Sequence, residues 1–225
     1  MEITSQITDW ATLVMILVAL FFSIYRKGKK HLLSIQLYIL TSLISNTISK
    51  ISDVAFQNNS HKSIGEIALN INSIFEILLI NIFLYTRIKG KFLRILILFF
   101  SIFYISVCLF SWHFKENSFY TFTPDLFGIE SILIILACLF YISEVIKRDL
   151  EINLKKDTDF IITCGILFYF GISIPSFFSW YNLIAMAPKA QNILLLSNSV
   201  FYSILFIAFI KAYLCVIPEK KQLFI

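Results

Sequence analysis

Long apolar stretches alternate with short polar connections along the whole of this chain. A bilayer whose hydrocarbon core is about 30 Å thick takes roughly 20 apolar residues per crossing helix, and seven stretches have about that length. The pattern therefore predicts an all-α, polytopic membrane protein in which residues 1–225 form one bundle of seven transmembrane helices. We place these helices at residues 7–25, 32–55, 67–88, 93–112, 126–146, 160–180 and 193–217.

Basic residues are concentrated after every second helix. Fourteen lysines and arginines lie at or next to the segments that follow helices 1, 3, 5 and 7, against three in the segments that follow helices 2, 4 and 6. Because cytoplasmic loops are enriched in lysine and arginine, we expect the N-terminus outside and the C-terminus in the cytoplasm. The basic cluster RKGKK follows helix 1 instead of preceding it, which argues against a cleavable signal peptide.

Composition agrees with a membrane location and limits the kinds of binding partner that we expect. Of the 225 residues, 58% are hydrophobic and 15% are charged, where soluble domains average about 25% charged residues. The net charge of +5 comes from the inner connections, so we expect contact with membrane lipids and a possible signalling partner, and no nucleic acid. Abundant Ile, Phe, Lys and Asn are typical of an AT-rich bacterial genome, which indicates the bacterial cytoplasmic (inner) membrane.

Helix 2 carries polar residues at helical spacing, among them Tyr38, Ser42 and Asn46. This stripe either supplies hydrogen bonds between helices or forms one wall of a polar cavity. A row of small residues on the same helix lets a neighbouring helix approach closely. The row consists of Thr41, Ser45 and Ser49.

Helix 3 contains the stretch NINSIFEILLIN, with a carboxyl group inside an apolar span. Asn72, Ser73 and Glu76 share one face, and Glu76 lies about 14 Å from the outer end of the predicted helix. A charge at that depth costs at least about 2.5–3.5 kcal/mol, so the carboxyl group should face inward and be paired or protonated. It either fastens helices together or contacts a ligand, a substrate or a proton.

Two further helices contribute candidate residues. Glu130 lies about 6 Å from the outer end of the predicted helix 5, where it either reaches the membrane interface or joins an interior site. Near the other end of that helix we expect Glu144 to pair with Lys147 and Arg148. In helix 7, Asn198 and Tyr202 share a face.

If helices 2, 3 and 7 adjoin, their polar residues converge on one cavity that opens to the outside. The hypothesis predicts a ligand-binding site made from Ser42, Asn46, Asn72, Ser73, Glu76, Glu130, Asn198 and Tyr202. No catalytic residue is assigned within it.

Several kinds of site receive no support from the sequence. The three histidines are far apart and the four cysteines form no CxxC pair, so we expect neither a metal site nor a disulfide framework, and no cofactor. Lys211 lies near the cytoplasmic end of helix 7 and Ile207 precedes it by four residues, which does not match a retinal-binding lysine. No HExxH or GxSxG motif and no internal repeat is present.

Three segments nevertheless carry a family resemblance. IFEILLINIFLY in helix 3, GIESILIILACLFY in helix 5 and DFIITCGILFYFGISI in helix 6 resemble small seven-helix integral membrane proteins common in Bacteroidetes-type bacteria. The resemblance covers most of the chain and implies a seven-helix fold in a bacterial membrane. It implies no catalytic residues.

These features favour a binding function over catalysis. We expect a sensor or accessory signalling subunit that binds a ligand or lipid in an outward-facing polar cavity. The alternatives are a small-solute or proton-coupled transporter and, less favoured, an intramembrane lipid-modifying enzyme that uses Glu76 and Glu130, the two carboxyl groups of the outer half.

Overall fold

A computed structural model gives the fold of most of the chain. It describes residues 2–25, 32–55, 62–114, 119–121, 123–147, 154–179 and 188–216. Within these ranges the chain is all-helical, with seven α-helices and one 3₁₀ turn at Leu154–Lys156. The helices are α1 (Glu2–Tyr25), α2 (Leu33–Ala55), α3 (Lys62–Arg87), α4 (Lys91–Phe114), α5 (Pro124–Ile146), α6 (Thr158–Phe178) and α7 (Pro188–Leu214).

Five of these helices contain stretches long and apolar enough to cross a membrane. The stretches are Ile64–Arg87, Lys91–Phe114, Pro124–Ile146, Thr158–Phe178 and Leu196–Leu214. The fold is therefore that of a multi-pass membrane protein. The predicted helices correspond in order to the observed ones, although α1, α3 and α7 each begin five residues earlier than the apolar runs do. The RKGKK cluster and Arg148 lie outside the described residues.

Six helices form a closed ring. Each of α1, α2, α3, α5, α6 and α7 contacts the next in that order, and α7 returns to contact α1. Consecutive helices along the chain are also neighbours, as the short connections predict. Helices α2, α3 and α7 do not all adjoin, because α7 packs mainly on α1 and α6. Side chains of α2 and α7 still meet, since the Tyr38 ring lies 6.4 Å from that of Phe206.

The remaining helix, α4, packs on the outside of the ring against α3 and α5. Its buried residues recur at alternating spacings of four and three, which defines one narrow face of a helix. That face consists of Ile97, Ser101, Tyr104, Cys108 and Ser111. The other faces are exposed and carry large apolar residues such as Phe99, Phe103 and Phe110, as expected for a helix surrounded by lipid.

Small residues bring two pairs of helices close together. A Cβ atom placed on Gly65 of α3 would lie 3.1 Å from the Cα atom of Ser49 in α2. The predicted close approach along the row of small residues in α2 is therefore observed at Ser49. A Cβ atom placed on Gly165 of α6 would lie 2.7 Å from the Cβ atom of Ala208 in α7. Close helix contact of this kind increases van der Waals packing, which drives helix association in membranes.

The tight connection between α3 and α4 is held by acidic residues of other helices. The Glu144 carboxylate of α5 accepts hydrogen bonds from the backbone N–H groups of Lys89 and Gly90, both at 2.7 Å. Just before the connection, Arg87 forms a 2.9 Å ion pair with Asp159 of α6. We expected Glu144 to pair with nearby lysine and arginine side chains. Its backbone contacts show that it also satisfies N–H groups left free at the start of α4.

Candidate functional site

Glu76 lies in the interior of the helix ring. Its side chain is 6% exposed, and one carboxylate oxygen accepts a 2.5 Å hydrogen bond from the Tyr38 hydroxyl of α2. The carboxyl group has the inward orientation that the cost of exposing it to lipid requires. Tyr38 is itself fully buried, with its ring against Phe206 and Phe209 of α7.

Glu130 of α5 is a second interior carboxyl group. Its side chain is 0% exposed, so the alternative position at a membrane interface does not hold. One carboxylate oxygen accepts a 3.5 Å hydrogen bond from the Tyr104 hydroxyl of α4. Among the described residues, the other oxygen has no hydrogen-bond partner. An unpartnered buried oxygen is costly, and this one can accept a further hydrogen bond or bind a cation.

The depth of Glu130 follows from the way the α4–α5 connection is anchored. The side-chain amide of Asn70 in α3 donates hydrogen bonds to the backbone carbonyls of Phe119 and Thr121, both at 3.0 Å. The start of α5 therefore lies level with Asn70, more than two turns into α3. Glu76 follows Asn70 by six residues and Glu130 follows Pro124 by six, so each descends about 9 Å. The two carboxyl groups consequently lie at similar depth.

A hydrogen-bonded chain connects α3, α4 and α5. The hydroxyl groups of Ser73 and Tyr104 are 2.9 Å apart, and the Tyr104 hydroxyl donates to Glu130. Each hydroxyl group has one hydrogen, so Tyr104 can donate to Glu130 while accepting from Ser73. Ser73 has an alternative acceptor in the backbone carbonyl of Asn70 at 2.9 Å. The chain can therefore exist in more than one arrangement of its hydrogens.

Two more tyrosines complete the site from the other side of the ring. Tyr169 of α6 lies within electrostatic range of both Glu76 and Glu130, and its ring is 5.0 Å from that of Tyr202 in α7. Tyr202 lies beside Tyr38, and its ring packs edge-on against Phe206 at 4.9 Å. Both side chains are buried.

We name this group the acidic–tyrosine cluster. It contains one residue from each of six helices, and only α1 contributes none. Its members are Tyr38 of α2, Glu76 of α3, Tyr104 of α4, Glu130 of α5, Tyr169 of α6 and Tyr202 of α7.

The cluster has two acids and no basic partner. Among the described residues, Glu76 and Glu130 interact with each other and with tyrosines, and no lysine, arginine or histidine acts on either. Two ionised carboxylates would therefore leave two uncompensated charges in the interior. Since an unpaired buried charge costs several kcal/mol, protons or a bound cation must neutralise the pair.

The structure places the other predicted site residues in different surroundings. Ser42 and Asn46 lie beside Tyr202, and Ser73 belongs to the hydrogen-bonded chain that ends at Glu130. Asn198 instead accepts a 3.1 Å hydrogen bond from Ser173, so its observed contact is between α7 and α6. Asn72 is buried one turn before Glu76, and its carbonyl oxygen has no partner among the described residues.

Tyr38 was predicted in the polar stripe of helix 2 but not in the site, and Tyr104 and Tyr169 were missing from both. Both lie near the middle of their helices. The available signal was their depth, because tyrosine in membrane helices is enriched at the interfaces, where its hydroxyl group reaches water. A tyrosine in mid-span needs an interior hydrogen-bond partner, and Tyr104 has two.

The cluster presents carboxyl and phenol oxygen atoms, which can bind protons or a small cation. Within the described ranges, no group of three or more His, Cys, Asp or Glu side chains is placed to hold a metal ion. Two carboxyl groups and four phenols can exchange protons or surround a small cation.

No protein-family model, curated protein or solved structure matches the chain.

Proposed function

We propose that all seven helices cross the cytoplasmic membrane of a bacterium. Helices α1 and α2 are not among the five stretches that are both long and apolar enough to cross a membrane, but each has an exposed apolar stripe suited to lipid. On α2 the stripe runs from Leu33 to Ile51, about 27 Å along the axis. On α1 it runs from Trp10 to Ile24, about 21 Å. The distribution of basic residues supports an external N-terminus and a cytoplasmic C-terminus.

We further infer that the protein is a sensor or accessory signalling subunit, with the acidic–tyrosine cluster as its binding site. One observation carries this inference: six helices each place one side chain in the same interior cluster. A change of charge or occupancy there alters contacts of all six helices together. A ligand shifts a conformational equilibrium when its interactions differ between two states, and a shared central site provides that difference.

An outward opening of the site is supported by the distribution of polar residues along the helices. Ser42, Asn46, Asn72 and Asn198 all lie on one side of the cluster, towards the end of the bundle where α3 begins. On the opposite side the large buried side chains include Ile35, Phe83 and Phe209, and the smaller polar residues Asn81, Ser101 and Thr163 are buried there as well. With the proposed orientation, Ser42, Asn46 and Asn72 lie on the outer side of the cluster, and the large apolar side chains narrow the path to the cytoplasm.

The expected partners follow from the surface. Membrane lipids surround the exposed apolar faces, and the basic cytoplasmic connections favour anionic headgroups or an acidic surface on a signalling partner. The α3–α4 connection, with Lys89 exposed, is held to α5 and α6 by Glu144 and Asp159. A rearrangement of those helices therefore changes the surface presented to such a partner.

A proton-coupled transporter is the second candidate. The chain from Ser73 through Tyr104 to Glu130 supports it, because adjacent hydroxyl groups that accept alternative hydrogen bonds can pass a proton. Both functions assign Glu76 a role in binding. They differ in whether anything crosses the membrane.

Two measurements on the full chain separate the candidates. Proteoliposomes that contain the purified protein and an internal pH-sensitive dye are subjected to a pH gradient. In cells, a photo-crosslinking amino acid at Lys89 records the cytoplasmic neighbours of wild type and of Glu76→Gln. A sensor should show no proton flux and a crosslinking pattern that changes in Glu76→Gln.

The remaining outcomes decide against the sensor. Proton flux that Glu76→Gln abolishes would favour the transporter. Absence of flux together with identical crosslinking patterns would contradict both functions. Asp125→Asn, which removes a carboxyl group from the first turn of α5 outside the cluster, serves as the matched control in both measurements.

A further inference from the structure

We propose that Glu76 and Glu130 together bind one monovalent cation, either an alkali ion or the ammonium group of an amine, in exchange for a proton. The proposal rests on the function proposed above, since it names the ligand class of the same site. It starts from the charge of the cluster. Two carboxyl groups lie in the interior without a basic partner among the described residues.

Unpartnered oxygen atoms supply an independent indication of a ligand. Among the described residues, two buried oxygens near the cluster have no hydrogen-bond partner, and they belong to Asn72 and Glu130. Ser42 is fully buried, lies one turn from Tyr38 and adjoins Tyr202. Buried polar groups without partners are rare, and such oxygens can bind an ion or a water. Carboxylate, amide and hydroxyl oxygens are the donors that hard cations prefer.

The number of acids favours a single positive charge. Divalent cations such as Ca²⁺ are usually held by several carboxylates, and the described residues contain no group of three or more acidic or other metal-binding side chains. One carboxylate neutralises one monovalent cation while the other keeps a proton. The buried rings of Tyr169 and Tyr202 add aromatic faces, which attract ammonium groups.

Charge balance defines the exchange. Without the cation, each carboxyl group holds a proton, and the interior carries no net charge. Binding of the cation releases one proton to the outside solution, so the site stays neutral. The titratable groups that face the pair are Tyr38, Tyr104, Cys108, Tyr169 and Tyr202. Phenols and thiols are ordinarily much weaker acids than carboxyl groups, so the exchanged proton comes from a carboxyl group.

Thermal unfolding of the purified full chain in detergent measures the binding. Sodium, potassium and methylammonium chloride are compared with N-methylglucamine chloride, a bulky cation, at equal ionic strength. At a cation concentration 100 times the dissociation constant, the unfolding midpoint should rise by about 5 °C or more. The salt that saturates at the lowest concentration distinguishes an alkali ion from an ammonium group. A midpoint that is the same in all four salts would overturn the proposal.

Substitutions of single carboxyl groups test where the cation that raises the unfolding midpoint is bound. Glu76→Gln and Glu130→Gln should each abolish the salt-specific rise, whereas Asp125→Asn should retain it. A rise that persists in both glutamine variants would place the cation elsewhere and overturn the proposal. If a glutamine variant does not fold, the pH dependence of the cation affinity of the wild-type protein tests the proposal instead. Competition by one proton predicts a cation affinity that falls about tenfold for each unit decrease in pH, and an unchanged affinity overturns the exchange.

The cation proposal and the proposed function can be contradicted independently of each other. If no cation binds but Glu76→Gln still alters the crosslinks at Lys89, the cation proposal falls and the sensor stands. If a cation binds through both carboxyl groups but neither the cation nor Glu76→Gln alters the crosslinks, the site stands and the sensor falls.

Discussion

At the residue scale, the two buried carboxyl groups are held differently. Glu76 accepts a short hydrogen bond of 2.5 Å from Tyr38, whereas Glu130 accepts a long one of 3.5 Å from Tyr104. A hydrogen bond near 2.5 Å is stronger than one at 3.5 Å, which lies at the limit of hydrogen-bond geometry. Tyr38 therefore fixes Glu76 firmly, and Glu130 retains more freedom to change partners.

We predict that Tyr38→Phe lowers the free energy of unfolding by about 1–3 kcal/mol, because it leaves a buried carboxyl oxygen without its donor. Denaturant titration in detergent with tryptophan fluorescence measures the loss. Tyr213→Phe is the matched control, since Tyr213 is fully buried but donates only a 3.5 Å bond to a neutral backbone carbonyl of Leu32. Equal losses in the two variants would contradict a special role for the Tyr38 hydroxyl.

At the element scale, close packing of α6 and α7 depends on the absence of a side chain at Gly165. An added methyl group would meet Ala208 at 2.7 Å, which is closer than two carbon atoms can pack. Gly165→Ala should therefore destabilise the protein by about 1–3 kcal/mol, even though alanine is the better helix former. Thermal unfolding in detergent measures the difference.

A second substitution tests whether Ala208 is the cause of that loss. Ala208→Gly removes the facing methyl group, so it should restore most of the stability lost in Gly165→Ala. Gly171→Ala on the same helix is the control. Its added methyl group would meet nothing within 4 Å, so stability should stay constant or rise slightly. Equal effects of alanine at both glycines would argue against the close contact.

The turn between α3 and α4 depends on a residue of α5. Glu144→Ala removes the acceptor for the N–H groups of Lys89 and Gly90. Hydrogen–deuterium exchange of those two amides should become roughly ten- to hundredfold faster, which corresponds to the loss of a charge-assisted hydrogen bond of about 1.5–3 kcal/mol. Lys147→Ala at the same end of α5 is the control. Unchanged exchange at Lys89 and Gly90 would show that other contacts hold the turn.

The helices themselves could be predicted from the sequence, since an apolar run of about 20 residues in lipid has to satisfy its own backbone hydrogen bonds. The ends of α3 and α7 could not, because polar turns such as the one that begins at Lys62 extend a helix beyond its apolar part. The depth of Glu130 was missed for a related reason. It depends on Asn70 binding the α4–α5 connection, a contact between residues about 50 positions apart.

At the scale of the whole molecule, the order of helices around the ring determines which residues meet. Hydrophobic periodicity shows that α4 has a buried face, but it does not show that α4 packs outside the ring. Tyr104 nevertheless reaches Glu130 from that position, so the outer helix contributes to the interior cluster. A pattern in one helix carries no information about its neighbours, which is why the polar stripes were predicted better than their partners.

The fold also makes a prediction about the two faces of the membrane. Tyr120 and Lys89 are exposed and lie in the connections at opposite ends of α4. With Cys108, Cys138, Cys164 and Cys215 replaced by alanine, a single cysteine at position 120 should react with a membrane-impermeant maleimide in intact cells. A single cysteine at position 89 should react only after permeabilisation, because the proposed orientation places the basic end of the bundle in the cytoplasm. A cysteine at Lys147 should behave like the one at position 89. The reverse pattern would mean that the bundle has the opposite orientation, and the side of the cluster that carries Ser42, Asn46 and Asn72 would then face the cytoplasm.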